Sequence, residues 1–185
     1  EKLYRVGVGY TDERYSLVKS TAAAAQLLGR NKYVLDSWPY AVTAYNSGLR
    51  EFIRVPKHLR TPENFAPLFL SCKSKTKLGW AGRNYYAGFL AMLYAESYRD
   101  LLYRADKPIA KSPAIAFNRI EKPVSAIRYA MNKGIPLLQI HELNPDIRNL
   151  HARLPAGFWI AVPGSHDDYR GLINEMVKGK LVVSQ

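Results

Sequence analysis

Apolar positions along the first hundred residues recur every three or four, which is the spacing of helices that bury one face. From Ser16 to about Arg30, Leu17, Val18, Leu27 and Leu28 form the apolar stripe and Ala22 to Ala25 allow close packing, with Gly29 as the stop. Trp38, Ala41, Tyr45, Leu49 and Phe52 repeat the spacing. Asp36 or Ser37 is positioned to cap that second helix, and Pro39 falls in its first turn, where a missing N–H is harmless. Residues 55–82 are rich in Pro, Lys and Gly and read as loop, with a short helix near Pro62 to Leu70. A third long helix runs from Arg83 to about Tyr103, with Tyr86, Phe89, Leu90, Leu93 and Ser97 on one face, broadened by Tyr85, Met92 and Tyr94. The first fifteen residues, with Gly7, Gly9 and Thr11-Asp12-Glu13-Arg14, read as loop.

After two prolines between Asp106 and Pro113 the pattern changes. Ala114 to Phe117 is a short strand, Val124 to Lys133 a helix closed by Gly134, and Pro136 to Leu143 a second helix stopped at Asn144-Pro145. Phe158 to Val162 is a strand ending at Pro163, and a last helix spans about His166 to Val177. A strand–helix–helix–strand run of this length is a compact supersecondary module. The expected boundaries are therefore 1–105 for a helical domain, 106–113 for a linker, 114–163 for the small module and 164–185 for a helical extension.

The net charge is +12, from 27 Lys and Arg against 15 Asp and Glu. Such a chain attracts polyanions, but its cations are dispersed and form no nucleic-acid motif, so no nucleic-acid partner is expected. No stretch approaches the ~20 apolar residues of a membrane span. No charged-then-apolar leader opens the sequence, which fits a cytoplasmic protein or a mature or trimmed piece. Cys72 is the lone cysteine and reads as a half-buried thiol rather than a nucleophile. His58, His141, His151 and His166 have no metal spacing, and Gly7-Val8-Gly9 lacks the rest of a nucleotide loop, so neither metal nor cofactor is expected.

Ordered blocks of residues carry a resemblance. Asp12-Glu13-Arg14, then Ser20-Thr21-Ala22-Ala23-Ala24 and Leu27-Leu28, then Trp38-Pro39 and Ala44-Tyr45-Asn46-Ser47-Gly48, then Arg83-Asn84-Tyr85-Tyr86-Ala87 with Phe89-Leu90-Ala91 stand in sequence. They resemble the lysozyme-like lytic transglycosylases of glycoside hydrolase family 23, of the membrane-bound murein transglycosylase D type, over residues 1 to about 103. Lys122-Pro123-Val124, Met131 to Pro136, Leu143-Asn144-Pro145 and Leu154 to Pro163 resemble a divergent LysM repeat. Glu121-Lys122-Pro123 stands where that repeat usually has Gly-Asp-Thr, so a purely structural extension is the other role open to this module. The implied fold class is mainly α, the C-terminal part of a lysozyme-like domain, plus a small α+β LysM-like βααβ module.

The resemblance implies a bacterial cell-envelope or periplasmic enzyme acting on peptidoglycan glycan strands. In such enzymes one Glu protonates the glycosidic oxygen and then, as base, accepts a proton from the C6 hydroxyl of N-acetylmuramic acid while that oxygen attacks C1, giving a 1,6-anhydro sugar. By resemblance that Glu lies in a Glu-Ser segment well before the Asp-x-Arg block. Here eleven residues precede Asp12, Glu1 has no Ser after it, Glu13 belongs to the block, and Glu51 and Glu96 read as helix charges. The expectation is that the catalytic Glu lies upstream of this chain or on a companion chain. The resemblance places Tyr45, Asn46, Ser47, Gly48 and Tyr86 at the sugar cleft, with Asp12 and Arg14 fixing a supporting loop by an ion pair. The plainer alternatives are that Tyr45 and Tyr86 are core, Asn46 is a helix-end residue, and Asp12 and Arg14 form a solvated turn. Tyr85 is a neighbouring alternative to Tyr86, and Gly48 serves either a close backbone approach or a helix end. For the whole chain, the alternative to an enzyme portion is a non-catalytic peptidoglycan-binding or scaffold protein with a degenerate cleft.

Overall fold

A computed structural model of the chain describes residues 10–70, 80–103, 114–165 and 168–178. They are mainly α with a little β, as the hydrophobic spacing predicts. No described helix is long and apolar enough to cross a membrane. Cys72, the linker at 106–113, His166 and Gly7 to Gly9 lie outside the described residues.

The chain divides into two compact units, one of residues 1–24 with 111–185 and the other of residues 25–110. The sequence pattern had grouped 1–105 together. Residues 11–24 instead share a unit with the C-terminal module, because their backbone and their one buried lysine are bonded there.

In the 25–110 unit, helix α1 (Leu17–Leu35) enters from the other unit and is followed by α2 (Trp38–Ser47) and α3 (Arg50–Ile53). A 3-10 turn at Lys57–Leu59 leads into α4 (Pro62–Leu70), on the residues the sequence marked as a short helix. Helix α5 (Trp80–Ser97) and the short α6 (Arg99–Leu102) complete it. Gly29 does not end α1. It is exposed within a helix that continues to Leu35, which is fully buried, and the stop is Asp36 at φ 57°. Burying Leu35 outweighs the roughly 1 kcal/mol that a helical glycine forfeits.

The core of this unit is Leu35, Tyr40, Ala44 and Phe52. Tyr40 meets Phe52 and Phe65 edge to face, with ring centroids 6.2 and 5.2 Å apart. Its hydroxyl donates to the Leu59 carbonyl at 3.1 Å. The predicted face of α2 is thus displaced: Trp38 is exposed, and every residue from Pro39 to Ala44 is buried. Ser37 takes the extended backbone of a cap, yet its buried hydroxyl makes no capping bond. Arg60 binds the carbonyls of Val55 at 2.7 Å and Ile53 at 2.9 Å, which satisfies the orphan acceptors around α3. Along α5 the expected buried stripe lies largely in solvent, with Phe89, Leu90 and Leu93 all exposed. The recorded ring contacts of α5 with the rest of the unit fall at Tyr85 and Tyr86. A helix of 18 residues is about 27 Å long and runs past its ten-residue neighbour α2, about 15 Å long.

In the other unit, β1 (Ile115–Arg119) pairs antiparallel with β4 (Trp159–Pro163), in the register Ile115 to Pro163 and Arg119 to Trp159. Between them lie β2 (Val124–Ser125), α7 (Ala126–Lys133), α8 (Leu137–Leu143) and β3 (Arg153–Leu154), which pairs with β2. The predicted helix start at Val124 is a two-residue strand, and Ser125 caps α7 by accepting from the Arg128 amide. Gly134 ends α7 at φ 64°, as expected. Helix α9 (Arg170–Lys178) packs on Trp159, and a Cβ at Gly171 would meet that indole at 2.7 Å.

Ile120, Ile140, Leu154, Phe158 and Ile160 form the centre of the apolar core. Asn144 staples the layers together. Its Nδ2 donates to the Ile140 and Ala161 carbonyls, each at 2.8 Å, and its Oδ1 accepts from the Ala161 amide at 2.7 Å. The N-terminal segment joins the same unit. The Asp12 amide donates to the Asp146 carbonyl at 2.7 Å, the Arg148 amide donates to the Tyr10 carbonyl at 2.9 Å, and Thr11 bridges Ile147. Lys19 then inserts its ammonium 2.6 Å from Asp146 Oδ2, 3.4 Å from Glu13 Oε1 and 3.9 Å from the Phe158 ring centre.

Candidate functional site

The resemblance-derived residues fall in two places, one in each unit. Tyr45, Asn46, Ser47 and Gly48 occupy the C-terminal turn of α2 and its exit. The helix ends there because Gly48 adopts φ 89°, with its amide donating to the Ala44 carbonyl at 2.9 Å. Among the described residues nothing lies within 4 Å of a Cβ placed on Gly48, so its role there is conformational. The buried middle of α2 is stiffened by Thr43, whose hydroxyl donates to the Pro39 carbonyl at 2.8 Å.

Tyr45 is half-buried, and its ring stacks on Tyr85 of α5, 6.3 Å away at 25°. That spacing lies within the range of favourable ring pairs. Burial, and then the neighbouring Tyr45, pushes the Tyr85 hydroxyl above the ordinary tyrosine value. Tyr86 points elsewhere and packs edge-on against Phe65, 5.2 Å away. Tyr85 is therefore the α5 partner of Tyr45, and Tyr86 belongs with the aromatic packing around α4. Asn46 is exposed and Ser47 half-buried, so the last turn of α2 carries an exposed amide one residue after the stacked Tyr45. Such a surface offers flat apolar faces and hydrogen-bonding groups, which suits a sugar.

Asp12 and Arg14 lie in the other unit and form the expected ion pair. Arg14 Nη2 donates to Oδ2 at 2.6 Å and Nε to Oδ1 at 2.9 Å. The Asp12 carboxylate also accepts from the Arg14 amide at 3.1 Å, capping the 3-10 turn Glu13–Tyr15. The Arg14 side chain holds Asp12 below the ordinary aspartate value, against the opposing pull of burial. The pair fixes a turn.

A general acid needs a carboxyl group whose pKa is raised yet which a substrate can reach. Asp146 satisfies only the first condition: burial pushes its pKa up and Lys19 pulls it back, but its side chain is 1% exposed. Glu96 is exposed and clasped by Arg99 at 2.7 Å, and Asp36 is exposed and paired with Lys32 at 3.2 Å. Glu51 is half-buried on α3. Among the described residues no group of three or more His, Cys, Asp or Glu side chains could hold a metal ion.

Sequence reasoning held Tyr85 only as the alternative to Tyr86, and it missed Asn144 as a staple and Lys19 as a buried cation. Lys19 carried a signal, since it sits one helical turn before the buried Ala23. No protein-family model matches the chain, and no curated protein matches it.

Proposed function

We propose that this chain forms the Tyr–Asn wall of a peptidoglycan lytic transglycosylase cleft, followed by a small module of LysM type. The observation that carries the reading is the exit of α2, where Tyr45 stacks on Tyr85, the exposed Asn46 follows it in the chain, and Gly48 ends the helix. The ordered sequence blocks support it. In this reading the tyrosine rings pack on a sugar ring, and the Tyr45 hydroxyl and the Asn46 amide bond an N-acetyl group or steady the acid. The reaction joins O6 of N-acetylmuramic acid to C1 as the glycosidic C1–O bond breaks. The acid gives its proton to the leaving oxygen and regains one from the C6 hydroxyl. Following the resemblance, the reading assigns that acid to a Glu in a Glu-Ser segment outside these residues; Glu96 and Asp36 are each held by a cation in solvent. The polymer places the protein in the bacterial cell envelope.

The test uses a full-length, active enzyme containing these residues. Tyr45→Phe and Asn46→Ala are expected to cut release of 1,6-anhydro muropeptides about tenfold, the worth of one hydrogen bond to a reacting sugar, with Tm unchanged. Equal losses of activity and Tm would make them packing residues and refute the reading. A second reading, a peptidoglycan binder without catalysis, draws on the same state of the carboxylates. It predicts sedimentation with sacculi and no anhydro product in any context.

A further inference from the structure

The unit containing the small sheet carries an open depression of about 1160 Å³ between β1, the link to β2, α7 and the stretch before β3. Arg119, Lys122, Arg128, Lys133, His151 and Arg153 line it, against one lining carboxylate, Glu121. Arg119 is taken up by Glu175, 2.9 Å away. Among the described residues, Lys122, Arg128, Lys133 and Arg153 form no ion pair, and all four are exposed. Clustered like charges repel one another in the folded state, so a concave surface that gathers them is suited to anions.

The aromatic groups in the depression narrow the choice. Tyr129 is buried and its hydroxyl accepts from Asn118 Nδ2 at 3.0 Å. Trp159 donates its indole N–H to Glu175 at 3.2 Å and lies against Gly171. Phe117, the third such ring in the lining, meets Tyr169 edge to face with centroids 6.0 Å apart, so each of the three rings is already engaged by the protein and none stands as an open stacking platform of the kind single-stranded nucleic acid uses. What remains is a cup of forked and point cations with amide groups at its side, which fits carboxylates spaced along a flexible chain.

We infer that this depression binds the stem-peptide carboxylates of peptidoglycan, so that the module grips the peptide part of the polymer rather than its sugars. The identity of the polymer rests on the proposed function. The cup itself stands on its own charges.

The experiment measures binding of the 185-residue chain to intact sacculi, to sacculi with amidated carboxyls, and to glycan strands stripped of peptides. Amidation or stripping is expected to weaken binding at least about tenfold, and the double variant Arg128→Glu/Arg153→Glu to weaken binding to intact sacculi by a similar factor. Both residues are exposed, so the variant keeps its fold, checked by circular dichroism. Arg30→Glu, an exposed change in the other unit, is expected to bind as the parent does. Equal affinity for intact and amidated sacculi, or an unaltered double variant, would overturn the inference. So would tighter binding to single-stranded DNA than to sacculi. Anhydro product from the full-length enzyme with unaltered binding by the double variant would defeat the cup and leave the proposed function standing. Loss of binding on amidation with no anhydro product in any context would do the reverse.

Discussion

Lys19 and Asp146 are buried to 3% and 1% exposure and sit 2.6 Å apart, so removing either one strands the other's charge. Stranding a buried charge of this kind costs about 3–5 kcal/mol. Asp146→Asn is expected at the lower end, about 3 kcal/mol, because Glu13 still stands 3.4 Å from the ammonium. Lys19→Met behaves differently, because a stranded carboxylate can take up a proton. Burial already pushes the Asp146 pKa up, and loss of Lys19 removes the main opposing pull. Between the unfolded and folded pKa values the folded state then holds a proton that the unfolded state has released. Stability therefore falls as pH rises, by up to about 1.4 kcal/mol per pH unit, and levels off above the folded pKa. The Lys19→Met loss is therefore smallest at low pH, where the carboxyl is protonated in both states, and grows as pH rises towards a plateau of about 4 kcal/mol. The double variant Lys19→Met/Asp146→Leu removes both charges, keeps a thioether near the Phe158 ring, and is expected to be as stable as the parent or more so. The assay is hydrogen exchange at the Ile120 and Gly157 amides, which bond the Phe158 and Ile120 carbonyls in this unit's core and so report on this unit alone. A Lys19→Met loss that is flat with pH, or a double variant as unstable as the worse single one, would refute the reasoning.

Asn144→Leu removes three hydrogen bonds and leaves the buried Ala161 amide and carbonyl unpaired. It is expected to destabilise the same unit by about 3 kcal/mol, read by the same exchange assay. Ser37→Ala is expected to change urea stability by less than about 0.5 kcal/mol, since the hydroxyl makes no capping bond, whereas a working cap would cost about 1 kcal/mol. The Asp12 carboxyl, held down by Arg14, contributes stability that is present above the ordinary aspartate pKa and lost as pH falls through the lowered one. An NMR titration of Asp12 is expected to shift upward in Arg14→Gln, and an unchanged midpoint would count against the ion pair.

Much of the fold was legible from spacing and punctuation. Pro62 to Leu70, the Gly134 stop and the strand–helix–helix–strand order follow from local rules that tertiary contacts left alone. Gly29 misled because a distant burial, that of Leu35, overrode a local preference. Trp38 misled for a related reason: periodicity names a stripe but not the centre of a core, and Tyr40, with two ring partners and a hydroxyl bond, is that centre. The grouping of residues 11–24 depended on an ion pair across 127 positions, for which a single sequence holds no local sign. At the candidate site, the Tyr-Asn-Ser-Gly helix end and the Asp12–Arg14 pair were visible as local patterns. The choice of Tyr85 over Tyr86 turned on one step of helical rotation, about 100°.

That 127-residue separation also sets an order of events when the chain is made. At about 5–20 residues per second, Lys19 waits about 6–25 s before Asp146 is synthesised. In that interval residues 25–110 emerge in full and can settle into their own unit, while Lys19 stays hydrated and its ammonium resists early burial. The charge thus acts as a timer. It keeps the amino-terminal stretch out of the first core to form and leaves it available for the second, whose last strand arrives only at Pro163.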